Sequence, residues 1–254
     1  MKLKTLTILS IIVVSNYSLA QTDLIFKGSF EFVTRLNDTG ITWAGEYPVG
    51  KNADCTSSTI SSLQDCHHGR DVTHNDDSDG HAGFSFTKLD ANGVPLVDQS
   101  VNYQTTPWAC VRDNVTGLVW EVKTDDGGIH DKDNTYKWGG VTALGRDHPN
   151  RQGDYYDDWN NLVNDSNNGN GLCGFTDWRI PIIDELSGLA NLGTTYPAID
   201  LNYFPNTVPL LFWSSSPVAY NDIDARIVSF NLGNNSGNNR GIDIRVRLVR
   251  SSEQ

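Results

Sequence analysis

Alternation of apolar and polar residues is clearest in residues 241–250. Successive side chains of a strand point to opposite faces, so alternate residues share a face. The pattern predicts a strand with one buried apolar face, formed by Ile242, Ile244, Val246 and Leu248. The opposite face is predicted to point three polar side chains into solvent, those of Asp243, Arg245 and Arg247.

Several shorter runs also carry strand patterns, with partial alternation or a buried apolar stretch. They are residues 23–35 (one strand or two), 41–43, 84–89, 94–97, 115–122, 210–215 and 226–232. Residues 84–89 and 94–97 flank the turn Asp90-Ala91-Asn92-Gly93 and form a predicted hairpin. The run 231–239 is rich in Gly and Asn, and it is predicted to be a loop between two strands.

Helical spacing of apolar residues predicts two helices. The first covers residues 155–163 and is ended by the Asn-rich run 164–170. The second follows the stretch from Cys173 to Pro181, and Pro181 is predicted to take its first position because the fixed φ of proline suits a helix start. Its predicted apolar face is formed by Ile182, Leu186 and Leu189. Trp120 and Trp178 are predicted to lie in the core.

Three stretches, in this order, resemble the motifs of the Lcl C-terminal domain family. They are Asp113-Asn114-Val115-Thr116-Gly117-Leu118-Val119-Trp120-Glu121, the stretch from Cys173 to Leu189, and Phe212-Trp213-Ser214-Ser215-Ser216 with the later residues 225–230 and 246–250. The resemblance implies a fold similar to that of C-type lectins. It also implies a secreted or surface binding module, since the family is named after the tip domain of a bacterial collagen-like adhesin that binds glycosaminoglycans.

Pattern and resemblance together predict an α+β protein. Residues 106–254 are predicted to form a C-type-lectin-like domain of small twisted antiparallel sheets with two helices. Residues 21–105 are predicted to form a β-rich elaboration, which we expect to pack on that domain because no Pro-, Ser- or Thr-rich linker separates the two. The helix after Pro181 also resembles that of sulfatase-modifying enzymes, but those use late cysteines and no Cys follows Cys173 here.

The first 20 residues have the features of a signal peptide. Lys2 and Lys4 precede a short apolar run, and Ser18-Leu19-Ala20 is a small-x-small cleavage site that predicts Gln21 as the mature start. We therefore expect a secreted, periplasmic or cell-surface protein without membrane insertion after cleavage. The alternative is a membrane anchor, although the apolar run is short for a span.

Acidic residues outnumber basic ones, 31 to 19, and the formal net charge is −12. Loss of Lys2 and Lys4 with the signal peptide would make it −14. This excess argues against nucleic acid and anionic membrane surfaces as partners, because both would repel the protein.

An exported chain with four cysteines is expected to form two disulfides, for which three connectivities are possible. We expect Cys55 to pair with Cys66, closing a short polar loop. We expect Cys110 to pair with Cys173, joining the segment before the strand at 115–122 to the turn before the second helix.

Two acidic loops are candidate calcium sites, because calcium prefers several carboxylate oxygens on a sharply turning backbone. The first contains Asp76, Asp77 and Asp79, but Phe86 stands where a helix-loop-helix calcium site needs Glu. The second contains Asp125 and Asp126, followed by Asp131 and Asp133. The alternative for both is a solvated acidic turn. Four neighbouring histidines show no compact zinc spacing, namely His67, His68, His74 and His81.

Trp138 is the best candidate for an exposed aromatic ring that stacks on a sugar, while Trp159 and Trp213 are more typical of core residues. A basic patch is a second candidate for ligand binding, formed by Arg226, Arg245, Arg247 and Arg250. The sequence has no G-x-S-x-G, H-E-x-x-H or P-loop motif. The leading hypothesis is therefore non-catalytic binding of a glycan or surface polymer. The alternatives are a polysaccharide-acting enzyme and a structural envelope protein.

Overall fold

The structure is a computed structural model that describes residues 36–46, 51–54, 64–74, 76–139 and 159–251. Every described residue belongs to one compact unit, residues 35–254. The predicted signal peptide, the strand or strands predicted over residues 23–35 and Cys55 lie outside the described residues. No helix in the described part is long and apolar enough to cross a bilayer.

The described elements are short strands, two short α-helices and one 3₁₀ turn. In chain order they are β1 (Trp43–Glu46), β2 (Lys51–Asp54), a 3₁₀ turn (Asp65–His67), β3 (Phe86–Leu89), β4 (Cys110–Asp113), β5 (Leu118–Glu121), α1 (Asn160–Ser166), α2 (Ile183–Ser187), β6 (Leu211–Val218), β7 (Asn221–Ser229), β8 (Asn234–Asn239) and β9 (Val249–Ser251). All strand pairs are antiparallel, in sheets β1-β2, β3-β4-β5-β9 and β6-β7-β8. The protein is therefore an α+β fold of small antiparallel sheets.

The four-stranded sheet joins distant parts of the chain. β3 pairs with β4, so the segment before residue 106 shares a sheet with the segment after it. Asp113 closes the turn from β4 to β5, since its Oδ1 accepts hydrogen bonds from the amides of Val115 (2.9 Å) and Thr116 (3.1 Å). Cys110 is bonded to Cys173, which confirms that predicted disulfide.

β8 occupies residues that were predicted to be a loop, so that prediction is wrong. Its sequence, NNSGNN, has low strand propensity, and most of its side chains are exposed. It lies at the sheet edge and pairs with β7 over six positions, from Asp224 opposite Asn239 to Ser229 opposite Asn234. Backbone pairing with an apolar neighbour outweighs the weak propensity.

Only β9 forms from the strand predicted over 241–250, and the predicted burial is wrong for two of its residues. Ile242, expected inside, is 46% exposed, whereas Arg247, expected outside, is fully buried. The expected burial of Ile244, Val246 and Leu248 is confirmed. The segment is not a continuous strand, because Ile244 and Arg245 make isolated bridges to Tyr136 and Phe212. From Ile244 to Arg250, both of its sides therefore face protein.

α2 begins at Ile183 rather than at Pro181. The carbonyl of Pro181 accepts a hydrogen bond from the amide of Ser215 (2.7 Å), which keeps Pro181 in a backbone contact with β6. Glu185 accepts a hydrogen bond from the amide of Ile182 (2.9 Å) and caps the helix. Ile182 is 47% exposed, so the buried face consists of Leu186 and Leu189.

Two apolar clusters form the core. The first includes Trp120, Leu186 and Phe204, and the second includes Trp178 and Trp213. The predicted burial of Trp120, Trp178 and Trp213 is thus confirmed.

α1 runs to Ser166, into the Asn-rich run. The side chain of Asn167 then bonds to both the carbonyl (2.9 Å) and the amide (2.7 Å) of Trp178.

Candidate binding site

Trp138 does not expose a ring for stacking. It is 3% exposed, and its Nε1 donates a hydrogen bond to the carbonyl of Ser214 (2.7 Å). The guanidinium of Arg240 lies 4.2 Å from its ring centroid, and the ring of Trp159 meets it edge to face at 5.6 Å. The expectation of an exposed Trp138 is therefore wrong, because the ring packs under β6.

The predicted basic patch is not formed by these arginines. Arg247 donates to the carbonyl of Glu121 (2.6 Å) and to Thr207 Oγ1 (2.6 Å) while fully buried. Arg250 is also buried, and its Nε donates to Asp177 Oδ1. Arg245 bonds to the carbonyl of Lys132 (3.0 Å), and Arg226 is partly buried. Arg247 and Arg250 therefore bond within the protein and are not available for a surface patch.

The second acidic loop brings three carboxylates together. Oxygen atoms of Asp125, Asp131 and Asp133 lie within 4.8 Å of one another. Asp131 is buried, and its two oxygens accept hydrogen bonds from the amides of Asp126, Gly127 and Asp133 (2.7–2.8 Å). These bonds, the one from Asp133 first, lower the pKa of Asp131.

A lysine supplies the positive charge in this loop. Lys132 Nζ donates to Asp125 (2.7 Å) and to Asp133 (2.9 Å), and these bonds raise the pKa of Lys132. Three amides already occupy the Asp131 oxygens. Lys132 therefore offsets one of the three negative charges, and a calcium site in this loop stays a prediction.

The first acidic loop does not converge on one point. Asp76 accepts from the amide of Ser78 (2.7 Å), Asp77 from the amide of Ala82 (3.1 Å), and Asp79 from Ser85 Oγ (2.5 Å). His81 Nδ1 lies 3.2 Å from Asp77. Among the described His, Cys, Asp and Glu side chains, only the second loop gathers three ligand atoms closely.

A groove of two adjoining pockets lies elsewhere, and we call it the loop groove. The first pocket has a volume of about 360 Å³ and the second about 350 Å³. Asp77, Leu201 and Asn202 line both pockets, so the two share a wall. Most of the wall comes from three irregular segments, residues 77–81, 99–104 and 191–205, and Lys88 and Trp108 complete the second pocket. This is a concave surface of the kind that binds small ligands or chains.

The first pocket carries an exposed aromatic ring beside carboxylates. Tyr196 is 67% exposed, and Leu201 is 46% exposed. The backbone here is anchored to the β7–β8 connection, since the amides of Tyr196 and Ala198 donate to the carbonyls of Asn231 (2.9 Å) and Phe230 (2.7 Å). Tyr196 therefore stands on a fixed support, although it lies in a loop.

Asp200 is the most perturbed carboxylate of the first pocket. Burial raises the pKa of Asp200, while amide hydrogen bonds from Asn202 and His81 oppose that effect. Its Oδ1 accepts the amide of Asn202 at 2.9 Å. Together with Asp77, it gives this end of the groove an acidic character.

The second pocket has a buried lysine at its base. Lys88 is 4% exposed, and its Nζ donates to the carbonyls of Gln99 (2.8 Å) and Val101 (2.9 Å). The ammonium lies 4.4 Å from the ring centroid of Trp108 and 5.1 Å from that of Tyr203. Burial lowers the pKa of Lys88. The lysine ties residues 99–101 to β3 and shapes the pocket.

Of the residues that line the loop groove, sequence reasoning had singled out only Asp77 and His81. Residues 191–205 form a long irregular segment that contains Tyr196, Tyr203, Asn191, Asn202 and Asp200. Such segments often carry binding residues, and that was the signal in the sequence. The sequence analysis instead singled out the acidic loops and the arginines, because their charged residues lie close together in the sequence.

The motif residues at 113–121, 173–189 and 246–250 contact one another. Glu121 Oε2 accepts the amide of Leu248 (2.8 Å), and Asp177 pairs with Arg250. Arg179 forms a two-pronged bond with Glu185 (2.8 and 2.6 Å). The motifs therefore hold the fold together rather than line the loop groove.

Comparison with known proteins is consistent with this arrangement. No curated protein and no solved structure gives a match to the chain. The family model described as the Lcl C-terminal domain matches residues 109–250, which include all three motif stretches. Because that match covers more than half of the chain, the protein belongs to the Lcl C-terminal domain family.

Proposed function

We propose that the protein is an exported, non-catalytic binding module that holds a neutral or cationic glycan in the loop groove. The observation that carries the proposal is the exposed ring of Tyr196 in one pocket with Asp77, Asp200 and Asn202, in a groove of two adjoining pockets. Aromatic faces stack on the C–H surfaces of sugars, and carboxylates and amides bind their hydroxyl groups.

The charge of the groove favours neutral or cationic sugars. Asp77 and Asp200 line the first pocket, which has no Lys or Arg in its described wall. The protein has a net charge of −12, so sulfated or uronic polymers would be repelled at long range. Amino sugars would instead gain from the two carboxylates.

The α+β architecture of small antiparallel sheets and short helices is consistent with a C-type-lectin-like fold. The Cys110–Cys173 disulfide supports export to an oxidising compartment, either the periplasm or the cell exterior. Intact-mass measurement of the protein secreted by its host tests this part, since a mature chain that retains residues 1–20 contradicts export by cleavage after Ala20.

A second candidate function is hydrolysis of a polysaccharide. Asp77 and Asp200 share a pocket, and burial raises the pKa of Asp200, as a catalytic acid requires. We prefer binding without cleavage because Asp200 accepts hydrogen bonds from two backbone amides. These bonds cap a turn and favour the ionised form of the carboxylate.

A glycan array, run with calcium and again with chelator, tests the binding proposal. Tyr196→Ala is expected to weaken binding to any hit by roughly tenfold or more, because the stacking face is lost. Tyr220→Ala is the matched control, since Tyr220 is 87% exposed and lies outside the loop groove. Its affinity should equal that of the unmodified protein.

The other outcomes are equally decisive. Absence of binding under both conditions would overturn the glycan proposal and leave a structural envelope role. Shortened product chains, lost in Asp200→Asn, would establish the enzyme. Preference for sulfated chains would contradict the charge argument, and binding that is unchanged by chelator would exclude a role for calcium.

A further inference from the structure

The two pockets of the loop groove differ in charge. Asp77 and Asp200 line the first pocket together with His81, and none of its described lining residues is Lys or Arg. In the second pocket, Lys88 is the only Lys or Arg among the described lining residues, and Asp77, on the shared wall, is the only carboxylate among them. A ligand that occupies both pockets therefore meets negative charge at one end and a positive group at the other.

The positive group of the second pocket is fixed in position. Two backbone carbonyls and the rings of Trp108 and Tyr203 hold the Nζ of Lys88. The carboxylate of Asp200 acts on this ammonium, since its charge opposes the lowering of the pKa of Lys88 by burial. An ammonium that is held in this way stays at the base of the pocket and repels a second cation there.

The second pocket also offers neutral polar groups to a ligand. Gln104 lines it and Asn202 lies on the shared wall; both residues are exposed, and neither side-chain amide bonds to another described residue. Each amide both donates and accepts hydrogen bonds, so it suits hydroxyl and acetamido groups. The turn that carries Gln104 is fixed, because Asn102 Oδ1 accepts its backbone amide (2.8 Å) and the ring of Tyr103 meets that of Trp108 edge to face at 4.9 Å.

We propose that the loop groove binds two consecutive units of an amino-sugar chain, with a free amine in the first pocket and an uncharged, N-acetylated unit in the second. The inference rests on the proposed function, because it names the class of glycan for the same groove. The two pockets have similar volumes, about 360 and 350 Å³, and each is large enough for a small ligand.

The positions of the two units follow from the lining of each pocket. In the first pocket, a protonated amine gains charge-assisted hydrogen bonds from Asp77 and Asp200. In the second pocket, a protonated amine is repelled by Lys88, whereas an acetamido group carries no charge and bonds to Gln104. The groove therefore distinguishes chains by which of two neighbouring units carries the free amine.

Calorimetric titration of the purified protein with dimers of β-linked glucosamine tests the proposal, at a pH where free amines are protonated. The set contains the dimer with two free amines, the fully acetylated dimer and both singly acetylated isomers. We expect one singly acetylated isomer to bind most tightly, roughly tenfold better than free glucosamine, because the second unit adds hydrogen bonds. The other three dimers should bind several-fold more weakly than this isomer.

A charge added to the second pocket should change this preference. Gln104→Glu places a carboxylate there at an exposed position, so folding should persist. Affinity for the dimer with two free amines should rise several-fold, while affinity for free glucosamine stays nearly unchanged. Asn235→Asp is the matched control, because it adds the same charge at an exposed position outside the groove, and it should leave the preference as it is.

The outcomes separate this inference from the proposed function. Tightest binding by the dimer with two free amines or by the fully acetylated dimer overturns the inference, as does equal affinity for both singly acetylated isomers. An unchanged preference in Gln104→Glu overturns it too. In each of these cases glycan binding stands if Tyr196→Ala weakens it. Absence of binding by every dimer also overturns the inference, and the glycan array then decides separately whether the groove binds another glycan.

Discussion

Glu121 and Lys123 form an ion pair that is fully buried, with 2.9 Å between Glu121 Oε1 and Lys123 Nζ. His130 Nδ1 lies 2.8 Å from the same oxygen, and the amide of Leu248 donates to the other oxygen (2.8 Å). One carboxylate therefore joins β5 to the residue that precedes β9.

Replacement of Glu121 is expected to be strongly destabilising. Glu121→Ala leaves the Lys123 ammonium buried without its partner, and loss of one partner of a buried pair costs about 3–5 kcal/mol. Urea unfolding measures the loss. Lys132→Ala breaks two surface ion pairs, to Asp125 and Asp133, and serves as the control with a much smaller expected cost. Equal losses in the two variants would contradict the structural role of the buried pair.

The same carboxylate predicts a pH dependence. Burial alone would raise its pKa, but the Lys123 ammonium and His130 outweigh burial and lower the pKa of Glu121 to about 2, from 4.5. Because the folded pKa lies below the unfolded one, this stabilisation is complete above about pH 4.5 and is lost as pH falls towards 2. In Glu121→Gln, the free energy of unfolding should fall less steeply across that window, and an unchanged slope would refute the assignment.

The Cys110–Cys173 disulfide closes a long loop, with a sequence separation of 63. In the chain-entropy model, loss of such a crosslink costs about 4 kcal/mol. The double variant Cys110→Ala, Cys173→Ala should therefore unfold at a markedly lower urea concentration. We also predict a smaller loss for Cys55→Ala, whose predicted loop to Cys66 is much shorter. The opposite ranking would show that loop length does not control the effect.

Gly171 precedes the turn that leads to α2, and it is expected to tolerate no side chain. It has φ +67°, and a Cβ there would lie 1.8 Å from the carbonyl oxygen of Phe175. Gly169 has a similar φ of +61° but open space around it. Gly169→Ala should cost about 1–2 kcal/mol from the left-handed backbone alone. Gly171→Ala should cost clearly more by thermal or urea unfolding, and equal costs would contradict the close contact.

Trp138 is predicted to matter for stability rather than for binding. Trp138→Ala should cost about 3–5 kcal/mol, because it leaves a cavity and an unpaired Ser214 carbonyl. Trp138→Phe fills most of the space and should cost less. A loss of glycan affinity without loss of stability would instead revive the idea of a binding tryptophan.

The sequence was most informative where local pattern and packing agree. The Cys110–Cys173 bond and the burial of Trp120 and Trp178 were predicted correctly. A turn that contains a cystine and is flanked by aromatic residues can pack in few other ways. β8 was missed because its residues have low strand propensity and its pairing partner is supplied by tertiary structure.

Charged residues misled the sequence interpretation most. Alternation placed Arg247 in solvent, but its guanidinium is buried between the Glu121 carbonyl and Thr207, which lie 126 and 40 positions earlier. The loop groove was missed for a similar reason. Its walls come from three segments that are far apart in sequence, so no local pattern could bring them together.

The placement of residues 244–251 has a consequence for how the chain folds. This segment bonds to Tyr136, Arg179, Phe212 and β5, all of which are synthesised earlier. Neither apolar cluster is complete without it, since Val249 belongs to one and Leu248 to the other. Folding must therefore close long chain loops late, which makes it slow compared with proteins built from local contacts. Until residue 251 is synthesised, one side of β5 is an open sheet edge. The nascent chain reaches its native fold only if no other chain pairs with that edge.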